Sequence, residues 1–271
     1  MRCTPAVLAT ALVTIVALTS CSDPNAPGAL VAVRFRTGSS VVSAARAGSP
    51  QSFSLMNGAQ DVVVTGSNGT LTITDIRLIV DELELEGAEA GDCPDDGEQP
   101  AGCEEIEIGP LAAQVPVNGQ PVTVASDAIP AGSYTELEFE VEDLEVDGDE
   151  QDDAGDAAAL EALLATLRQT YADWPAGASM VVVGTFTPTG GAARPFRAYF
   201  AAEIEVELAF ATPLVVAETN KSVTVDLHPD QWFLNQDGTV RDLSQFDFAT
   251  TSAIVEFELE IENGLGVEID D

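Results

Sequence analysis

Asp147, Asp149, Asp152 and Asp153 fall within "VDGDEQDDAGDA" (146–157), the most metal-like stretch of the chain. Carboxylate oxygens are hard ligands, and acids crowded into a turn are what a calcium ion needs. Aligned with a calcium-binding loop from Asp147, the stretch places Gln151 where a third acid belongs, Asp152 at the glycine position and Ala158 where a bidentate glutamate is required. It is therefore not an EF-hand. Two readings remain: an irregular calcium site, and an acidic turn whose charge suits the start of a following helix.

Few other residues suggest chemistry. His228, in "VDLHPDQWF", is the one histidine of the chain. A single imidazole does not make a zinc site of the usual composition, and no G-x-S-x-G or similar nucleophile setting accompanies it. It reads as a strand-end residue without a catalytic role. Paired carboxylates hydrolyse glycosides, but 46 acidic residues single out no pair. Trp174 and Trp232, with Phe233, are candidates for a sugar-stacking platform; both tryptophans also lie beside turn signals, where core plugs occur. No enzyme is expected, and calcium is the one cofactor for which ligands are on offer.

Of the four cysteines, Cys21 has the most informative setting. Arg2 precedes an apolar run from Ala6 to Ala17. That run is shorter than the roughly 20 residues that span a bilayer, so residues 1–20 read as a signal peptide. The run ends in "LTSC", an aliphatic residue, two small residues and a cysteine. This is the pattern of a lipidation site, in which the thiol takes a diacylglyceryl group and the small neighbours fit the signal peptidase. An ordinary secretory signal with an accidental cysteine is the alternative. Each buried methylene of an acyl chain contributes about 0.8 kcal/mol, enough for a multiply acylated terminus to hold a soluble domain on a membrane. "SDPNAPGAL" then makes residues 21–29 a short tether. Ser22, where an aspartate would signal retention, favours an outer-membrane or cell-surface destination. Cys3 leaves with the signal, so Cys93 and Cys103 remain. They bracket the turn-rich "PDDGEQPAG" and are expected to pair as a disulfide in an exported compartment, stabilising the fold by about 2–3 kcal/mol.

The elements that must carry these residues are marked by charge. Formal net charge is −36, and loss of Arg2 with the signal leaves 9 basic against 46 acidic residues, a balance of −37. Such a chain repels nucleic acid and anionic lipid. With 45% hydrophobic residues in periodic positions it nevertheless folds. Glu136, Glu138, Glu140 and Glu142 alternate with Leu137, Phe139 and Val141, the pattern of a strand buried on one side. The same holds for Glu82, Glu84 and Glu86, for Glu203, Glu205 and Glu207, and for Glu256, Glu258, Glu260 and Glu262. Like charges opposite one another across strands destabilise a sheet. Three explanations are open. High external salt shortens the Debye length to about 3 Å at 1 M, and a lysine-poor acidic surface suits a saline, halophilic setting. Bound divalent cations would act locally. Plain solvation would suffice if the Glu strands lay beside basic ones such as "VAVRFRTG", where Arg34 and Arg36 point away from Val33 and Phe35.

Strand signals recur with Gly, Asn and Pro punctuation near 30–36, 51–56, 60–65, 70–86, 104–109, 121–126, 134–146, 179–187, 195–210, 213–217, 222–227 and 253–262. Leu160, Leu163, Leu164, Leu167 and Tyr171 instead keep helical spacing and predict one α-helix over about 155–172, stopped at Trp174-Pro175. The expectation is an all-β, antiparallel β-sandwich. Residues 30–271 form a single domain, with the acidic loop and helix inserted at 147–173.

The segments "GTLTITDIRLIVDELELEG", "IPAGSYTELEFEVEDLEV", "GTFTPTGGAARPFRAYF" and "VTVDLHPDQWFLNQDGTV" resemble uncharacterised secreted bacterial lipoproteins with a β-sandwich domain of unknown function. The similarity covers most of residues 60–245, and its motifs mark packing and turns. The resemblance implies an envelope-anchored sandwich, in some cases suspected of carbohydrate or surface binding, and brings no catalytic residues. The acidic insertion and the Cys93/Cys103 loop are peculiar to this chain. The expected role is a non-catalytic, lipid-anchored extracytoplasmic binding or structural protein of the cell envelope. Its expected partners are the membrane, through the N-terminal lipid, and an envelope polysaccharide or protein; nucleic acid is not among them. A carbohydrate-binding module and a calcium-binding surface protein are the alternatives.

Overall fold

Alternation of apolar and polar residues decides which side of each strand turns inward. A computed structural model shows the outcome for residues 29–37, 61–87, 106–142, 154–217, 219–262 and 266–270. In chain order the strands are β1 (Ala29–Thr37), β2 (Val62–Gly66), β3 (Gly69–Val80), β4 (Glu82–Gly87), β5 (Ile106–Glu107), β6 (Leu111–Val115), β7 (Val122–Ile129) and β8 (Gly132–Val141). Then come α1 (Ala154–Thr170), β9 (Met180–Pro188), β10 (Arg194–Val216), β11 (Lys221–Leu227), α2 (Pro229–Trp232), a 3-10 turn (Leu243–Phe246), α3 (Phe248–Thr251), β12 (Ile254–Glu262) and β13 (Gly266–Asp270). The fold is an all-β sandwich with one long helix.

One sheet has the order β13-β11-β1-β7; the larger runs β2-β3-β9-β10-β8-β4-β5, with β6 also on β3 and β12 also on β10. Pairing is mostly antiparallel. The exceptions are β1 with β11 and β10 with β12, which run parallel. Val31, Val33 and Phe35 of β1 face Leu83, Leu137, Phe139, Phe200 and Val206 of the larger sheet in one apolar cluster. At its centre the rings of Phe35 and Phe139 lie 5.2 Å apart. Among the described residues no helix is long and apolar enough to cross a membrane.

β10 organises the larger sheet. Along one edge, residues 194–200 pair with β9 and residues 204–216 with β8, so β8 and β9 lie end to end. β3 and β4 repeat this on the far side, β3 against β9 and β4 against β8. The chain between β8 and β9, which includes α1, is therefore an excursion from one nearly continuous row. At the join, buried Ser179 accepts from the Ala202 amide at 2.8 Å and donates to the Ala202 carbonyl at 2.9 Å. α1 packs Leu164, Leu167 and Tyr171 on Ile79, Val181 and Tyr199, the face of the larger sheet that looks away from the smaller one.

Several expected boundaries move. The strand expected over 70–86 breaks at Asp81, because its two halves serve different partners and Val80 and Leu83 must both point inward. The Asp81 amide bonds the Glu140 carbonyl at 2.9 Å. Gly109 passes so close that a Cβ there would lie 1.8 Å from the Asp81 carbonyl oxygen. Conversely, the strands expected at 195–210 and 213–217 are one, β10, with its irregularity between Ala209 and Leu214; Pro213 has no N–H to give the ladder there. β6 and β13 were not expected, being short and weakly patterned. The strand expected at 51–56 lies outside the described residues.

Candidate functional site

The most distinctive surface is built by β4, β8, β10 and β12. Because side chains alternate, every second residue of each strand reaches the face turned away from the smaller sheet. At those positions this sequence places glutamate, and the pairing brings the glutamates into rows. Glu82, Glu140 and Glu205 stand side by side, followed by Glu260 in register. Glu84, Glu138 and Glu207 make the next row, flanked in register by Glu107 and Glu262. Glu86 lies opposite Glu136, and Glu203 opposite Glu258.

Directly opposed side chains have Cβ atoms about 5 Å apart, where two unit charges in water repel by about 0.8 kcal/mol. The middle strand feels this most. Glu136, Glu138 and Glu140 of β8 all have carboxyls raised above the usual range. Partial burial between flanking strands is the main cause in each. Neighbouring carboxylates add to it: Glu86 and Glu207 for Glu136; Glu140, Glu207, Glu86 and Glu205 for Glu138; Glu82, Glu205 and Asp81 for Glu140. Carboxylate oxygens of Glu138, Glu140 and Glu205 lie within 4.8 Å of one another, a spacing that suits a hard divalent cation. Beside them is an open depression of about 130 Å³ lined by Glu82, Glu84, Glu138, Phe139 and Glu140.

The arginines pair elsewhere. Arg36 donates from Nε to Asp226 at 2.5 Å and from its terminal nitrogen to Glu268 at 3.1 Å, both within the smaller sheet. β1 is thus the basic strand expected, but it belongs to the other sheet and does not flank the glutamates. This corrects the solvation reading in its form of Glu strands beside "VAVRFRTG". Two more arginines cluster at the end of α1. The Tyr171 hydroxyl donates to Asp75, which also accepts from Arg77 at 3.1 Å and from Gln114 at 3.2 Å. Arg197 pairs with Asp173, and the Tyr199 hydroxyl donates to Asp173 at 3.1 Å. The Arg197 guanidinium lies 5.8 Å from both tyrosine ring centres. Burial, then the bond to Asp75, pushes the Tyr171 hydroxyl up to about 12. This seam fastens α1 to the sheet.

Among the expected site residues, Cys21, Cys93, Cys103, Asp147, Asp149, Asp152 and Asp153 lie outside the described residues. Trp174 is 2% exposed; its indole N–H donates to the Ala178 carbonyl at 2.7 Å and its ring meets Tyr199 edge-on at 5.4 Å. Trp232, at the end of α2, is half-buried against the core between the sheets. The two tryptophans belong to clusters on opposite sides of the larger sheet and form no row. His228 precedes α2, and its Nδ1 is buried with no hydrogen-bond partner. The grouping of Glu138, Glu140 and Glu205 was not anticipated: each lies in a Glu-alternating segment, but the register that joins them is not written in any one of them.

Compared with protein-family models, with curated proteins and with solved structures, the chain has no match in any of the three.

Proposed function

We propose that this chain is a lipid-anchored extracytoplasmic protein of the cell envelope, one that binds or structures its surroundings without catalysis. The observation that carries the reading is "LTSC" at 18–21, closing an apolar run and lying eight residues ahead of Ala29, where β1 begins. An extended tether of that length spans at most about 28 Å. An acyl group on Cys21 would hold the sandwich close to a membrane surface. Two further observations support it. The glutamate rows form an open sheet face that needs counter-ions from the medium, and the resemblance noted above points to the same compartment. Labelling of expressing cells with radioactive palmitate tests the anchor. Label should enter the chain and be lost in Cys21→Ser; equal labelling of both, or of neither, contradicts the reading.

A second reading, a calcium-binding surface protein, is favoured by the convergence of Glu138, Glu140 and Glu205. It moves the candidate ligands from the acidic loop to the sheet face. In low salt, millimolar calcium should then raise the melting temperature saturably, and Glu138→Gln with Glu205→Gln should abolish that rise while loop variants of Asp147 and Asp149 leave it intact. A rise that tracks ionic strength alone, equal with sodium, speaks against the site.

A further inference from the structure

One end of the sandwich differs from the rest of the molecule. There β1 begins at Ala29, the β7–β8 turn passes through Pro130 and Ala131, and β10 hands over to β11 between Val216 and Lys221. Pairing of Ala29 with Ile129 and of Val31 with Lys221 brings the three together. The Tyr134 hydroxyl ties the turn by donating to the Pro130 carbonyl at 3.1 Å, and the Leu30 amide donates to the Asn220 side chain at 3.3 Å.

Two properties of this end are out of character with a chain of net charge −36. First, its strand ends are poor in charge: "AIPAGSYT" (128–135) and "LAFATPLVVA" (208–217) contain no ionisable acid or base other than Tyr134, the charged neighbours in sequence being Asp127, Glu136 and, in the β10–β11 connection, Glu218 and Lys221. Secondly, it carries the two most exposed large hydrophobic side chains of the described residues, Leu30 at 48% and Val215 at 58%. Leu30 projects from the smaller sheet and Val215 from the larger, on opposite outer faces of the sandwich. A partner protein docking on one face would meet one of them. A surface that the end as a whole rests on would meet both.

We propose that this end is the membrane-facing pole, resting on the lipid surface with Leu30 and Val215 at the headgroup boundary. The proposal rests on the anchoring read from Cys21, and it adds an orientation. The tether joins the sandwich at this end, so the acyl chains would be delivered about 28 Å away at most. Acids are sparser here than on the glutamate face, so this end meets less repulsion at an anionic surface than that face would. The strands then stand up from the bilayer, with the glutamate rows on a flank open to the medium. α2, which follows β11 beside the far end of β1, faces outward, about 25 Å further along at roughly 3.3 Å per residue.

The test uses the full, lipid-processed chain in phosphatidylcholine vesicles, with photoactivatable benzoylphenylalanine placed at position 30, 215 or 122 in turn. Val122 is a control of the same kind, 37% exposed but at the far end of β7. After irradiation, phospholipid adducts at 30 and 215 and background at 122 are the expected result. Adducts at 122 equal to those at 30 and 215, adducts at one flank alone, or none at any position in vesicle-bound protein overturn the orientation while leaving the anchor in place. Failure of the wild-type chain to stay with vesicles overturns the anchor, and the orientation with it.

Discussion

Glu138 sits between Glu84 and Glu207 in the row and beside Glu136 and Glu140 along its own strand. The sign of its pH effect follows from that position. A carboxyl whose value is raised on folding contributes stability in full below its unfolded value, about 4.3, and that contribution is lost as pH rises through the folded value. Glu136, Glu138 and Glu140 are all of this kind, so at neutral pH they oppose folding. Replacing all three by Gln should raise the low-salt melting temperature near pH 7, and the gain over wild type should shrink as pH falls toward about 4.5. Thermal scans of both proteins across that range check it; a gain that grows on acidification contradicts it. The parity that turns these side chains outward is legible in the sequence, because Leu137, Phe139 and Val141 must be buried. Their neighbours are not, since a one-residue slip in register would exchange every opposing pair. Trp174 illustrates the reverse case. A tryptophan beside a turn signal fits a ligand platform and a core plug equally well, and only the carbonyl of Ala178 and the ring of Tyr199 decide for the core.

At the scale of elements, α1 carries the clearest sequence signal and the least predictable position. Leucines at helical spacing mark it within two residues of its observed ends, because an amphipathic stripe needs no knowledge of its partner. What the stripe covers, the outer face of β3, β9 and β10, is fixed only once β8 and β9 have lined up. Fastening of α1 depends on Trp174 and on the seam around Asp75 and Asp173. Trp174→Ala should cost about 3–5 kcal/mol, in the range for removing a buried tryptophan. Tyr171→Phe, which leaves the ring and removes the hydroxyl bonded to Asp75, should cost about 1 kcal/mol. Urea denaturation of the two variants measures both; equal small losses would mean that α1 is not held by these contacts. β10 shows the limit in the other direction. Its 23 residues include Pro213 and a charge-free tail that read as a strand end, yet pairing with β8 resumes after the irregularity and carries the strand on to Val216.

Across the whole molecule, opposite charges are segregated. Arg77 and Arg197 neutralise acids under α1, and Arg36 does so in the smaller sheet, while the glutamates of β4, β8 and β10 share one flank with Glu258 of β12. The sequence discloses the surplus of acid and its periodicity. It does not disclose this separation, which arises because β1 and the Glu-rich strands join different sheets. The account holds that the flank is a surface adjusted to the ions around it. Same-face neighbours along a strand are about 7 Å apart, within the Debye length of about 8 Å at physiological salt but more than twice that of about 3 Å at 1 M. The measurement that bears most directly on this is the melting temperature of the acyl-free Cys21→Ser chain against sodium chloride, from low salt to about 1 M, beside the same chain with Glu136, Glu138 and Glu140 replaced by Gln. The account predicts a large, continuous rise for the first chain and a smaller one for the second, the two converging at high salt. Parallel curves, or no rise with sodium chloride, would contradict it.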